Sequence, residues 1–382
     1  MRYVFRTEYR QDIALWRHRG DLFWYGLLCV VLLIIPGVMG EFYVGELGGV
    51  FIFAIAGVGM MLLAGYTGLI SLGNAAFLGI GAYTNSVLLA QGVPFVITLP
   101  VSGLFTALFG LAIGLPTLRM SGLYLAIATL AFGSIVGTVF QKWTAVTGGF
   151  DGFSVPTPYV FGIAIETATG VYYVSLAVLA FVLWISANML RSPIGRAMVA
   201  IRDSEISAQS MGIHLTRYKA FAFAISAGIT GLAGALFAHY VHFLAPDSFD
   251  VLLSVQFVTI VFVGGLGSLH GAVLGAIFVR LLPQFIAIIR DDLPFGIGRM
   301  PGLEPSLYGL VLVVVILFEP GGIYGRWIKV KHWFQAYPLK RRTSFRRQKT
   351  YARSERLRCG LWHPALHNRP YGWPHPTRHG RA

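Results

Sequence analysis

Long apolar runs follow one another through this chain from Leu22 to Tyr324, separated by little more than polar punctuation. A bilayer core about 30 Å thick is crossed by roughly 20 apolar helical residues, and windows of that length recur here. Only 12% of the residues are charged, about half the share a soluble globular protein carries. The sequence therefore predicts an all-α, polytopic membrane bundle of about ten spans. They are read over residues 22–39, 47–65, 70–90, 96–116, 122–140, 171–190, 218–241, 252–265, 269–289 and 307–324. The run at 252–265 is short for a full crossing. The 46 glycines fit this reading, because small residues let helices in lipid approach closely.

Charge orders the spans. The chain carries a formal net charge of +14, and 15 of its 30 Lys and Arg lie after Gly325. A nucleic-acid partner would need a folded basic face with aromatic platforms. Here the cations lie outside the apolar runs, where the positive-inside bias and anionic lipid place them. The lipid bilayer is the partner this composition names, and nucleic acid is excluded. With an even number of crossings, the N-terminal arm (1–21), Arg119, residues 191–219 and the tail (325–382) fall on the cytoplasmic side. Glu41, Glu46, Asp151, Glu166, Asp247 and Asp250 fall outside, with Lys142 and the mixed segment from Arg290 to Glu304. Residues 22–39 follow a basic segment without a small-residue cleavage site, and are read as a retained anchor.

Catalytic signatures are missing: no Walker A sequence, no His-Glu-x-x-His, no Cys-x-x-Cys and no Gly-x-Ser-x-Gly. Cys29 and Cys359 suggest neither a disulfide framework nor a cysteine-metal site. Five of the ten histidines belong to the tail, which reads as a disordered extension. No Asp or Glu lies near the middle of a predicted span, as an ion-coupled pump would require. Arg280 is the exception among charges, lying well within the span 269–289: either Pro283 ends the helix and Arg280 reaches the outer surface or an acid such as Asp291, or it faces a cavity. Uncharged polar residues remain as solute contacts: Thr67, Ser71, Asn74, Thr84, Asn85, Gln256 and Thr259. Helix-to-helix hydrogen bonding accounts for such residues too. Gly65-Tyr-Thr-Gly-Leu-Ile-Ser-Leu-Gly-Asn74 reads as a tight turn between helices, with a partly re-entrant break as the alternative. Gly267, Gly271 and Gly275, spaced by four, are candidates for a close helix contact.

Residues 195–212 interrupt the apolar pattern. Between Leu22 and Leu190 the cations are Arg119 and Lys142, whereas five follow from Arg191 to Lys219. Met198, Ile201, Ala208 and Met211 recur at helical spacing with Glu205 near the same stripe, and Ala197, Ala200, Ser204 and Ser207 keep part of the surface slim. A short helix with such a face suits docking into a protein groove. An ordinary inside loop with a lipid-facing amphipathic turn accounts for it equally.

The pattern Arg-Asp-x-Glu-x-x-Ala-x-x-Met-Gly-Ile, Arg202 to Ile213, resembles the cytoplasmic loop of branched-chain amino-acid ABC importer permeases of the LivM type. Three more blocks are similar to that family, in its order. They are Gly65 to Tyr83, Leu115 to Gly133 with Thr147-Gly-Gly149, and Val263 to Gly275. The resemblance covers about residues 22–324 and leaves 359–382 unplaced. It implies an ABC importer permease fold, with residues 195–212 as a coupling helix that sits in a cleft of an ATP-binding subunit. Arg202, Asp203, Glu205, Ala208 and Gly212 would be its coupling residues. It implies alternating access with no bond chemistry and no cofactor in this chain, ATP and Mg being held by two cytoplasmic ATP-binding subunits. A homologous second permease subunit would line half the path, and a periplasmic solute-binding protein would deliver branched-chain amino acids or similar small solutes. Within that path Thr67, Ser71, Asn74 and Gln256 are the candidate contacts. The family often has His where this chain has Asn74. An ATP-independent secondary transporter or channel is the alternative, and would show buried acids or paired inverted halves.

Overall fold

The computed structural model describes residues 19–117, 122–160, 163–164, 167–291, 303–319 and 321–336. The chain forms two compact units, residues 2–327 and a second made of residue 1 with 328–382. In the first unit, helices α1 (Arg19–Val38), α2 (Glu41–Met60), α3 (Asn74–Ala90), α4 (Phe95–Thr117) and α5 (Leu123–Lys142) precede a turn-rich connection holding the short α6 (Thr144–Thr147). Then follow α7 (Ala168–Arg191), α8 (Pro193–Asp203), α9 (Glu205–Ser210), α10 (Leu215–Val241), α11 (Val251–Gly264), α12 (Leu269–Asp291) and α13 (Leu303–Phe318). A last helix, α14 (Gly322–Ala336), begins in the first unit, and residues 328–336 of the second unit are helical.

Each predicted span coincides with a helix. Among the described residues seven helices are long and apolar enough to cross a membrane, while Phe23–Val38 and Ser306–Val315 are shorter apolar helices. Two boundaries differ in a telling way. The span read from residue 47 begins at Glu41, so Glu46 sits inside α2 rather than in a loop. The span read as 307–324 stops at Phe318, where Glu319 and Gly321 interrupt it. Residues 325–336, read as the start of a disordered tail, belong to α14. The rest of the tail, with Cys359 and its histidines, lies outside the described residues, as do Arg119 and Glu166.

Beyond Glu46, helix α2 is apolar on every side and is buried from Gly48 to Met60, as such a helix must be. Helix α10 runs beside it, and its small residues let neighbours come to backbone contact. A Cβ on Gly81 of α3 would lie 2.2 Å from the Gly231 carbonyl oxygen of α10, and one on Gly234 of α10 would lie 1.9 Å from that of Leu78. The α11–α12 hairpin closes in the same way, with Gly264 against the Gly271 carbonyl at 2.0 Å and Gly275 against that of Ile260 at 2.1 Å. Of the three glycines spaced by four, Gly267 is therefore not part of this contact. It precedes α12 in a turn with φ of +82° and faces Arg202 instead.

At one end of the bundle, here the ladder end, β1 (Phe153–Ser154) pairs antiparallel with β4 (Phe243–Leu244), Phe153 opposite Leu244. This ties the connection after α5 to the one after α10. Within the former, β2 (Tyr159–Val160) pairs with β3 (Ile163–Ala164). Gly148, Gly149 and Gly152 turn the chain there at φ of +75°, +62° and +74°, a region open to glycine.

Two buried polar clusters pin helices near this end. Asn85 Nδ2 lies 2.8 Å from His239 Nε2, and Thr98 Oγ1 donates to Asn85 Oδ1 at 2.7 Å. Arg280 Nη2 donates to the Tyr240 hydroxyl at 2.9 Å and lies 3.7 Å from Glu46 Oε2, with its guanidinium over the Phe53 ring. The acid Arg280 meets is thus Glu46, one of those read as outer, rather than Asp291. Helix α12 continues through Pro283, and Arg280 is a half-buried tie between α2, α10 and α12.

Candidate functional site

At the opposite end, residues 192–213 form a compact element packed on the bundle. Its start is dictated locally: the Ser192 hydroxyl accepts from Ile194 N and Pro193 takes the first helical position, where its missing N–H is no loss. The single short helix expected over 195–212 is in fact two. Ser204 is extended (φ −164°, ψ 114°) and its side chain accepts from Ser207 N, so it caps α9 by leaving α8. Helix α9 ends at Gly212, whose φ of +82° lets Ile213 N reach the Ala208 carbonyl and Gly212 N that of Gln209. This is the paired closure glycine permits at a helix end.

The apolar stripe divides at the same point. Met198 and Ile201 of α8 and Ala208 of α9 are buried, and Met198 packs among Leu63, Leu69, Leu125, Ala222 and Phe223. Ile206 and Met211 are instead 83% and 84% exposed, far more open than residues of their type normally are in a packed interior. The element thus has one face sunk in the bundle and one apolar face turned out.

Charged residues anchor it. Arg202 Nη1 donates to the Gly65 carbonyl at 2.9 Å, and its Nη2 lies 3.1 Å from the neighbouring Asp203. Glu205 Oε2 lies 2.7 Å from Lys219 Nζ, in the second turn of α10, with the Lys219 side chain 4% exposed and that of Glu205 42%. Lys219 was counted in the sequence only as one cation of a basic loop. Its burial could have been suspected only from Glu205 lying across a helix cap, a spacing that carries no periodic signal.

Gly65 ends a single wide turn, Met61–Gly65, that prolongs α2 with π-helical bonding. The chain from there to Asn74 is irregular, with Gly68 and Ile70 exposed and the residues between them and after them turned inward. Thr67, Leu69, Ser71 and Gly73 are buried, Leu72 N donates to Thr129 Oγ1 in the body of α5, and Ala75 N donates to Ser254 Oγ of α11. Irregular backbone inside a membrane bundle persists only where protein or a wet cavity satisfies it, and these two hydroxyls do so. Two sulfur atoms help: Asn74 Nδ2 donates to Met60 Sδ at 3.1 Å, and Gly267 N to Met61 Sδ at 3.3 Å.

Of the residues expected along the solute path, Thr67 Oγ1 is turned back onto the Leu63 carbonyl and Ser71 Oγ accepts from Gly73 N. Both bond their own segment. Asn74 is buried, yet its Oδ1 lacks a hydrogen-bond partner. Gln256 is half-buried on α11. The break does border a cavity of about 210 Å³ between α3, α5 and α11, lined by Leu72, Ala75, Thr138, Gln141, Asp247 and Ser254 among others. Asp250 also reaches it while accepting from Leu253 N at the start of α11. The cavity carries polar groups towards the ladder end and small apolar ones at the break. Among the described residues no group of three His, Cys, Asp or Glu is placed to hold a metal.

A helical membrane bundle with an internal break and a two-faced amphiphilic element between its longest helices is the architecture of a transport subunit. The sequence matches, over residues 44–318, the family described as the branched-chain amino acid transport system / permease component, and the chain belongs to that family. It is 34% identical to the high-affinity branched-chain amino acid transport system permease protein LivM of Salmonella typhimurium over 67% of this chain and 64% of the relative. The LivM protein of Escherichia coli K12 gives the same figures. The autoinducer 2 import system permease protein LsrC of Escherichia coli O9:H4 is 25% identical over 77% of this chain and 85% of LsrC. The match thus spans a little less than two-thirds of the length of the LivM relatives. No solved structure matches the chain.

Proposed function

We propose that this chain is the membrane-spanning permease subunit of an ATP-driven importer. In that reading it forms half of the translocation path for branched-chain amino acids or similar small solutes, a second homologous permease supplying the other half. The observation that carries it is the element α8–α9, buried on one side through Met198 and Ile201 and open on the other at Ile206 and Met211. An exposed apolar pair on a short helix fits a groove on a partner protein. In this reading that partner is one of two cytoplasmic ATP-binding subunits, which hold ATP and Mg. Arg202, Asp203, Glu205, Ala208 and Gly212 then belong to the coupling machinery. On this proposal both termini lie in the cytoplasm of a bacterial inner membrane, and the ladder end lies outside, facing a periplasmic solute-binding protein. The names of the relatives, one for branched-chain amino acids and one for autoinducer 2, support a small solute. A cavity bordered by Asp247, Ser254 and small apolar residues suits such a molecule.

The test is uptake by vesicles carrying the complete importer. Glu205→Lys places a cation against buried Lys219, and Gly212→Trp puts a large side chain at φ of +82°, which side chains rarely adopt. Both variants are expected to insert in the membrane and to abolish ATP-driven uptake. Normal uptake by both removes the coupling role.

A further inference from the structure

Helix α9 is bracketed by two backbone features, the extended Ser204 before it and the left-handed Gly212 after it. On either side of Ser204 stands a charged residue that bonds into the bundle, each to a different helix. Arg202, at the end of α8, donates to the Gly65 carbonyl, one of those a helix end leaves without an intrahelical partner. Glu205, the first residue of α9, reaches Lys219 of α10. The two anchors therefore differ. Arg202 holds α8 to the break between α2 and α3, whereas Glu205 holds α9 to the helix that packs backbone to backbone against α3.

We infer that Glu205 and Lys219 act as an intramolecular positioning pair that passes displacement of α9 into α10, and that Glu205 is not itself a contact to the ATP-binding subunit. This rests on the function proposed above. A Lys ammonium with a side chain 4% exposed is stable in its charged form only beside a countercharge, and Glu205 is the carboxylate 2.7 Å from it. Lys219 therefore tracks Glu205: separating them strands a buried cation, so α9 and the start of α10 move as one. The outward face of α9, Ile206 and Met211, is left free for the partner. Because α10 meets α3 backbone to backbone where Gly81 faces Gly231 and Gly234 faces Leu78, a shift at its Lys219 end is carried to α3 through rigid contacts.

The experiment measures leucine imported per ATP hydrolysed by the reconstituted importer with its partner subunits. The variants are Lys219→Met, Glu205→Gln, their double, and the conservative Lys219→Arg. Each of the first two is expected to lower the ratio about tenfold, within the range of an ordinary coupling between sites. Their double is expected to be no lower than the worse single, because both remove one interaction, and Lys219→Arg to stay near wild type. Losses that multiply in the double, or singles that keep the wild-type ratio, overturn the pair. If Lys219 variants do not accumulate, Glu205→Gln, whose side chain is partly in water, decides alone: an unchanged ratio overturns the proposal. Failure of the wild-type importer to bind the ATP-binding subunits or to import with ATP removes the proposed function itself, which is a different result from uncoupling of the variants.

Discussion

Replacing Gly234 by Ala adds one methyl group at the tightest crossing in the bundle. Its Cβ would stand 1.9 Å from the Leu78 carbonyl oxygen and 2.8 Å from the Leu78 carbonyl carbon. Ordinary contact begins at 3.4 Å, so α3 and α10 must part by about 1.5 Å, since both atoms belong to backbone and cannot rotate away. A gap of 0.5–1 Å already forfeits about a quarter to a half of a dispersion contact, and the loss extends to neighbours along both helices. In lipid no hydrophobic force between helices makes up the deficit. Overpacking of this kind costs about 1–3 kcal/mol, which corresponds to a fall in Tm of about 1–4 °C for a chain of this size. Thermal unfolding in detergent, followed by tryptophan fluorescence, measures it. Gly137→Ala is the matched control, because a Cβ there meets nothing within 4 Å. It is expected to leave Tm unchanged or to raise it slightly through the better helix propensity of Ala. A Gly234→Ala protein that melts within about 1 °C of wild type and of the control would refute the argument that backbone contact holds α3 to α10.

Two further substitutions probe the polar ties near the ladder end. Glu46→Met leaves the half-buried Arg280 guanidinium without its carboxylate and is expected to destabilise by about 1–3 kcal/mol; the double variant with Arg280→Met should recover part of that loss in the same melting assay. Asn85→Ala removes an acceptor from Thr98 and a partner from His239. Thr98 keeps a second acceptor in the Phe95 carbonyl, so the expected loss is about 1 kcal/mol, and a larger fall than that for Gly234→Ala would contradict it.

The apolar runs were legible because a bilayer demands length and hydropathy in a single stretch, and each predicted span is met by a helix. Ends were less so. Glu46 read as a loop acid because hydropathy rises only at Leu47, although the helix begins at Glu41, where a carboxylate favours the positive end of the helix. Pro283 read as a stop, yet neighbouring helices carry α12 through it. The amphiphilic element between α7 and α10 stood out by its charge, but its division at Ser204 did not, since serine serves both as a helix residue and as a cap. The residues that anchor it could not be paired from sequence: Arg202 bonds a main-chain carbonyl, which carries no side-chain signature, and Lys219 owes its burial to the tertiary packing of α10. Thr67 and Ser71 were named for their hydroxyls, which the fold spends on its own backbone.

Adjacent thioethers at the end of α2 have a mechanical consequence. Met60 and Met61 accept hydrogen bonds from Asn74 and Gly267, the first residue of the helix after one glycine turn and a member of the other. Sulfur is a soft, weak acceptor on a chain of freely rotating bonds, so neither donor is locked as it would be by a carbonyl. The two interruptions in the bundle are thus held at their ends by weaker bonds than the carbonyl-to-amide ladder of the helices on either side.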